Sequence, residues 1–322
     1  MKQFIFRVVH AVLVLIVLFF GLQPSQAVFL SGRTPYQIRV GDIESPYHIF
    51  SYFILPNQKV PIQLIQPGFA GGLYQIHSTS GFAERAAPHQ WIWRAPSKPG
   101  LYPVHLIHIS RPDTLTLNMF VLVPFLQAKN GFIGKYQIGQ YPRNHSGQII
   151  GPKGFIKITP EIENVLLSPH FQLRQFMCKQ RSSYPKYIAL REQLILKLEL
   201  ILQLLHDSGI SCQSLNIMSG YRTPYYNRVL GNVRFSQHLF GGAADFFIDE
   251  HPKDGIMDDL NRDGEINVKD ARYLQDLIKV LSHKEEYRGF EGGLAAYKKN
   301  SAHGPFLHTD VRGYAARWNH ID

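Results

Sequence analysis

The sequence predicts an all-β sandwich on the amino-terminal side and a second domain that mixes helix with strand behind it. Three observations carry this. Between Val28 and about Phe125, short apolar-alternating stretches are broken by Pro and Gly, the spacing of strands and turns in a sandwich of roughly one hundred residues. From Gln127 to about Lys157, Gly, Asn, Gln and Pro recur with no sustained period, which reads as a linker. Beyond it, apolar residues at Tyr187, Leu190, Leu194, Leu198, Ile201 and Leu205 advance by three or four, and that period lays one stripe along one helix face.

The expected boundaries are a leader over 1–27, the sandwich over 28–125, the linker over 126–154 and the second domain over 155–322. A chain of 322 residues can bury two such cores. With 45% hydrophobic and 18% charged residues, composition excludes a disordered chain and a multi-span membrane protein. Lys plus Arg number 34 against 24 Asp plus Glu, so clustered charge would attract anionic material. No arginine-rich run, aromatic-interleaved basic stretch or helix-turn-helix signal accompanies that charge, and nucleic acid is not an expected partner. Nothing in the sequence calls for an obligate oligomer, so a monomer is expected.

Lys2 and Arg7 precede an apolar run from Val8 to Leu22, and Ser25 and Ala27 supply small residues for cleavage after Ala27. This is the layout of an export signal, with an uncleaved anchor as the alternative. Either way the body lies outside the cytoplasm, in the periplasm or beyond the cell. The two cysteines, Cys178 and Cys212, are open to two readings there: one bridge, or two separate buried thiols.

Within the sandwich the expected strands are Tyr36 to Val40, His48 to Leu55, Val60 to Ile65, Gly72 to Ser78, Gln90 to Arg94, Leu101 to Ile109 and Leu115 to Val123, giving an antiparallel, immunoglobulin-like module. Trp91 and Trp93 on one strand read as packing residues. In the second domain Ser168 to Phe171 reads as the start of a helical segment. Pro185 to His206 reads as the central helix, stopped by Gly209 in the left-handed conformation, and Ser214 to Met218 as a strand.

The chemistry concentrates downstream of Met218. Ser219-Gly220-Tyr221-Arg222-Thr223-Pro224 leads to Ser236-Gln237-His238 and on to Gly242-Ala243-Ala244-Asp245, and Phe306-Leu307-His308-Thr309-Asp310 follows later. Imidazole nitrogen and carboxylate oxygen are the donors zinc accepts, and a catalytic zinc site uses three of them. His238, Asp245 and His308 are the candidates. Taken with Gly292-Gly293-Leu294, Tyr297, Arg312 and Trp318, the ordered set resembles the superfamily of zinc D-alanyl-D-alanine carboxypeptidases and L-alanyl-D-glutamate endopeptidases, which shares its fold with the hedgehog signalling domain.

That resemblance spans roughly Phe155 to Asn319. It implies an α+β domain whose small antiparallel sheet carries zinc on His238, Asp245 and His308, with Arg222 facing the cleft. A guanidinium fork there can clamp a substrate carboxylate or polarise the scissile carbonyl, or it can pair with a core carboxylate. Ser236 can hydrogen-bond substrate or cap a turn. Many members carry Glu or Asp three residues before the last histidine, where this chain has Pro305. The general base is therefore open: Asp310, the nearest carboxylate in sequence, ranks first, although it can instead orient a ligand imidazole, and His303 is the other candidate.

Asp259-Leu260-Asn261-Arg262-Asp263-Gly264-Glu265-Ile266-Asn267-Val268-Lys269-Asp270 matches the calcium loop of an EF-hand, with Asp at the last position as in dockerin modules. Asp259, Asn261, Asp263, Glu265, Asn267 and Asp270 are the candidate calcium residues, inside an insertion over 249–281 whose exiting helix would run from Ala271 to Leu281. The competing reading is an acidic turn with a capped helix. Together these expectations describe an exported zinc peptidase acting on peptidoglycan stem peptides. The second reading is a metal-stabilised wall-binding protein without catalysis.

Overall fold

A strand that alternates apolar and polar residues buries one face. In the computed structural model, which describes residues 29–65, 74–110 and 112–318, nine strands build the amino-terminal part. They are β1 (Arg33–Val40), β2 (Ile43–Tyr47), β3 (Ile49–Ile54), β4 (Lys59–Ile65), β5 (Tyr74–Ser78), β6 (Phe82–Ala87), β7 (Gln90–Arg94), β8 (Gly100–His108) and β9 (Thr114–Val121). Two sheets result, ordered β2-β1-β4-β7-β6 and β3-β9-β8-β5. Ile38, Ile62 and Trp93 from the first meet Phe50, Leu106 and Leu117 from the second in one core. Residues 1–27, the expected export signal, lie outside the described residues.

One pairing corrects the antiparallel expectation: β3 runs parallel to β9. The cause is the single residue between β2 and β3. The His48 amide bonds Gly32 O while its carbonyl accepts Thr116 N, so the chain crosses from one sheet to the other without turning back. Trp91 and Trp93, two apart on β7, share its inward face and are both buried. β2 and β6 were not among the predicted strands.

β10 (Val123–Pro124), β13 (Gly154–Ile158) and β16 (Lys186–Ile188) form a three-stranded sheet, flanked by the ribbons β11 (Phe132–Ile133) with β12 (Tyr136–Gln137) and β14 (Leu166–Ser168) with β15 (Phe171–Gln172). The stretch 126–154, linker-like in composition, contributes the buried side chains Ile133, Tyr136, Ile138 and Tyr141. The helical segment expected from Ser168 is the β14–β15 hairpin followed by a single 3-10 turn over Leu173–Phe176.

The central helix, α1 (Glu192–Asp207), starts later than the stripe implied, because Lys186–Ile188 pairs with β13 as a strand. Gly209 follows it at φ 81°. Leu194, Leu198, Ile201 and Leu205 are fully buried along one face, while Leu196 enters the sandwich core. Glu192 accepts the Phe53 amide at 2.9 Å and pairs with Lys153 at 3.7 Å, and Asn118 donates to Leu166 O at 2.8 Å. Ser31–Asp322 form one compact unit.

The carboxy-terminal sheet is ordered β17 (Asn216–Ser219), β18 (Ala243–Phe247), β20 (Phe306–Asp310), β19 (Gly293–Tyr297) and β21 (Ala316–Arg317). All its pairs are antiparallel except β19 with β21. A short helix, α2 (Pro224–Val229), is capped by Thr223, and α3 (Val268–Lys279) packs on β19, where Gln275 donates to Leu294 O at 3.0 Å. Among the described residues no helix is long and apolar enough to cross a membrane. Cys178 and Cys212 are free, buried thiols, and burial pushes the Cys212 thiol up to about 12.

Candidate metal centre

Antiparallel register places the chemistry. β18 pairs with β20 so that Asp245 lies directly opposite His308, and directly opposed residues of a pair project to the same face. His238 arrives from the 3-10 turn Gln237–Phe240, which ends at Gly241 with φ 66°. A Cβ at Gly241 would stand 2.3 Å from Ala189 O, so both the left-handed conformation and the close approach require glycine there.

Each imidazole has one nitrogen committed and one aimed inward. His238 Nδ1 donates to Gly220 O at 2.6 Å, and His308 Nε2 donates to Asp310 Oδ2 at 3.2 Å. The inward atoms form a triangle: His238 Nε2 to His308 Nδ1 3.3 Å, His238 Nε2 to Asp245 Oδ1 3.2 Å, and His308 Nδ1 to Asp245 Oδ1 2.8 Å. A tetrahedral zinc ion with ligands about 2.0–2.1 Å away sets its donors about 3.3 Å apart. Two sides of the triangle meet that spacing and the third is shorter, so seating such an ion asks only for a small parting of His308 from Asp245, and the donor set of two imidazoles and a carboxylate is one zinc accepts. Among the described residues it is the one group of three or more His, Cys, Asp or Glu side chains whose ligand atoms lie within 4.8 Å of one another.

Burial holds the His238 imidazole below its ordinary value. For Asp245 burial would raise the carboxyl, but His238, His308 and Arg222 keep it well below the usual range. Burial likewise opposes protonation of His308, and Asp245 and Asp310 outweigh it. The site thus concentrates negative charge around the third ligand.

Asp310 is buried beneath this triangle and does not line the cleft. Its Oδ1 accepts Gly293 N at 2.8 Å, Arg312 Nε at 2.9 Å and Arg312 N at 3.2 Å, and its Oδ2 accepts Arg312 Nη2 at 2.6 Å besides His308. These bonds hold its carboxyl below the usual range although burial pushes the other way. Glycine is obligatory alongside: a Cβ on Gly292 would sit 1.8 Å from Asp310 O, and one on Gly293 2.4 Å from Asp310 Oδ2. Behind the strand, fully buried Lys197 of α1 donates to Asp310 O at 2.7 Å and lies 5.0 Å from the Tyr287 ring centroid. Burial pulls that amine down to about 7.

Above the triangle a cleft of about 950 Å³ opens, lined in part by Arg222, Ser236, Tyr297, His303, Arg312 and Trp318. Arg222 is both wall and partner: Nη2 donates to Asp245 Oδ2 and Nε to Ser219 Oγ at 2.8 Å. That leaves Nη1 uncommitted toward the described residues. The Ser236 hydroxyl makes no cap bond to the turn it precedes. Tyr297 accepts Trp318 Nε1 at 3.0 Å, and Trp318 lies 5.4 Å from the His308 ring.

The Asp259–Asp270 loop is remote from this cleft, and its carboxylates form no comparable metal group. Asp259 accepts the amides of Asp263 and Gly264, and Asp263 that of Glu265. Fully buried Asp270 takes Leu260 N and Asn261 N on Oδ1 and Asn267 N on Oδ2. Asn267 caps α3 reciprocally with Asp270, and the Glu265 carboxylate accepts Asn267 Nδ2 at 3.2 Å. The loop thus closes on its own amides and starts α3.

Two participants escaped sequence reading. Lys197 sits within an apolar helical run, where a lysine reads as solvated, and Lys179, exposed on the cleft rim, belongs to no motif. Residues 169–268 match the family Peptidase M15. That segment includes Arg222, Ser236, His238 and Asp245 and ends before His308. The chain matches no curated protein.

Proposed function

We propose that the protein is an exported zinc peptidase that hydrolyses stem peptides of peptidoglycan. The supporting observation is the triangle of His238, Asp245 and His308 on the floor of an open cleft, and the Peptidase M15 match supplies the reaction class. Zinc bound there would polarise the scissile carbonyl and acidify water. The chain's own residues supply positioning and proton transfer. Arg222, fixed by Asp245 and Ser219, presents Nη1 to a substrate oxygen, and the Ser236 hydroxyl is placed to bond substrate backbone.

Asp310 serves as the positioning residue that orients the His308 imidazole, a role suited to an enclosed carboxylate whose oxygens already hold a backbone amide and a guanidinium. Outside the triad, His303 is the only His, Asp or Glu that lines the cleft among the described residues. Its Nδ1 donates to Gly304 O at 2.8 Å and its Nε2 accepts Asn300 Nδ2 at 2.9 Å, so taking a proton at Nε2 requires the Asn300 amide to swing away. His303 is therefore the general base of this proposal.

The test is incubation of zinc-loaded mature protein with purified peptidoglycan and synthetic stem peptides, with mass spectrometry of the products and a chelator control. Chelator-sensitive release of D-alanine or of a cut peptide supports the enzyme and identifies its bond. Zinc at one per chain without cleavage would favour the wall-binding reading, which draws on the lack of any carboxylate but Asp245 in the cleft wall. Calcium at Asp259–Asp270 belongs to the proposal on its residue pattern alone. Calorimetric titration of calcium, with Asp259→Ala as control, would show saturable binding or leave the loop as a helix-starting turn.

A further inference from the structure

The metal cleft does not end at its own wall. A second cavity of about 290 Å³ shares four lining residues with it: Lys179, Met218, Ala302 and His303. The shared residues make the two spaces neighbours across one rim. Besides these, the second cavity is lined by Asn216, Ile217, Phe247, Ile256, Met257 and Pro305, with Gly255 and Gly304 at its backbone. Ile217 and Phe247 come from the paired strands β17 and β18, Ile256 and Met257 from the segment after β18, and Pro305 from the turn before β20. Gly304 keeps the space open, since a Cβ there would already stand 3.2 Å from Ile256 Cγ2.

Charge along this groove is one-sided. Arg222 and Arg312 are committed to Asp245 and Asp310, and among the described residues Asp245 is the only carboxylate lining either cavity. Lys179, at the junction, is exposed and makes no ion pair or hydrogen bond among the described residues. A space of mixed apolar and polar lining with an unneutralised ammonium at its mouth is complementary to a short side chain or main-chain stem that carries a carboxylate.

We infer that the second cavity is a substrate subsite: it takes the aliphatic part of a peptide residue flanking the bond held at the metal, and Lys179 pairs with that residue's free carboxylate. The inference rests on the peptidase reading for what occupies the cleft, and it narrows the substrate to acidic peptides that extend past the metal. Lys179 borders both spaces whereas Gly304 lines only the second, so the two positions together separate a ligand in the subsite from one confined to the metal cleft.

Binding can be tested apart from turnover. The probes are L-alanyl-γ-D-glutamyl-L-lysyl-D-alanyl-D-alanine and the same peptide with the glutamyl α-carboxylate amidated, each carrying a fluorophore and titrated by anisotropy into zinc-loaded wild type, Lys179→Gln and Gly304→Leu. Expected are tighter binding of the acid than of the amide by wild type, and an about fivefold loss for the acid alone in Lys179→Gln. Gly304→Leu should weaken both peptides by filling the cavity. Equal affinity of wild type for acid and amide, an equal loss for both in Lys179→Gln, unchanged affinity in Gly304→Leu, or no binding of either peptide to wild type would overturn the subsite. Lys179-dependent binding of an uncleaved peptide would leave the subsite standing and remove the peptidase.

Discussion

His308 is gripped by carboxylates on both sides, Asp245 at Nδ1 and Asp310 at Nε2, and its two neighbours have separable duties. Replacing His238 or His308 with Ala should abolish stoichiometric zinc while leaving the sandwich folded, as read by metal analysis and circular dichroism. Asp310→Asn should lower zinc affinity about 10- to 100-fold in a chelator competition, because the ligand ring exchanges a charged carboxylate acceptor for a neutral amide. His303→Ala should retain zinc and lose about 10²- to 10⁴-fold in turnover, so metal content and rate together tell the positioning residue from the base. The grouping of His238, Asp245 and His308 was legible because their types, order and glycine-rich flanks are chemically constrained. The pairing of Arg222 with Asp245 was not, since sequence separation carries no register, and neither was the enclosure of Asp310.

At the scale of elements, α1 and β20 are joined by Lys197, whose amine is down to about 7 in the fold against about 10.4 in a free chain. The unfolded chain thus binds the proton more tightly between those values. The resulting penalty is complete below about pH 7 and fades as pH rises toward about 10.4, so folding stability should climb over that window by up to about 1.4 kcal/mol per pH unit. Urea unfolding of metal-free wild type and Lys197→Met should show the climb in the first and its loss in the second. Asp270→Ala should cost about 1–2 kcal/mol, since the α3 capping box and the Leu260 and Asn261 amides lose their acceptor. The strands that alternate cleanly were legible. β2 was hidden by Pro46 and by its close succession to β1 through Gly41-Asp42, and β6, Phe82 to Ala87, is an exposed edge rich in Ala and charge that has no inward face to announce it.

For the whole molecule, the sandwich and the metal-bearing part share a core through Leu196 and are tied by Glu192 to the Phe53 amide. Calorimetry of the mature, metal-free protein should therefore give one cooperative transition, and Glu192→Ala, which strands a buried amide, should lower it by about 1–3 kcal/mol. Two resolved transitions would show that the parts fold separately. The linker reading from composition illustrates why this scale is the hardest to read: Ile133, Tyr136, Ile138 and Tyr141 are spaced without helical or strand period, so only tertiary packing reveals that they are buried. The cross-strand match of Asp245 with His308 has a consequence for chain continuity. The long excursion from β18 to β20 by way of α3 contributes none of the triangle's donors, so one backbone cut on the exposed side of that excursion, at Lys253, would leave two fragments still zipped together by β18 and β20 and still chelating as one protein.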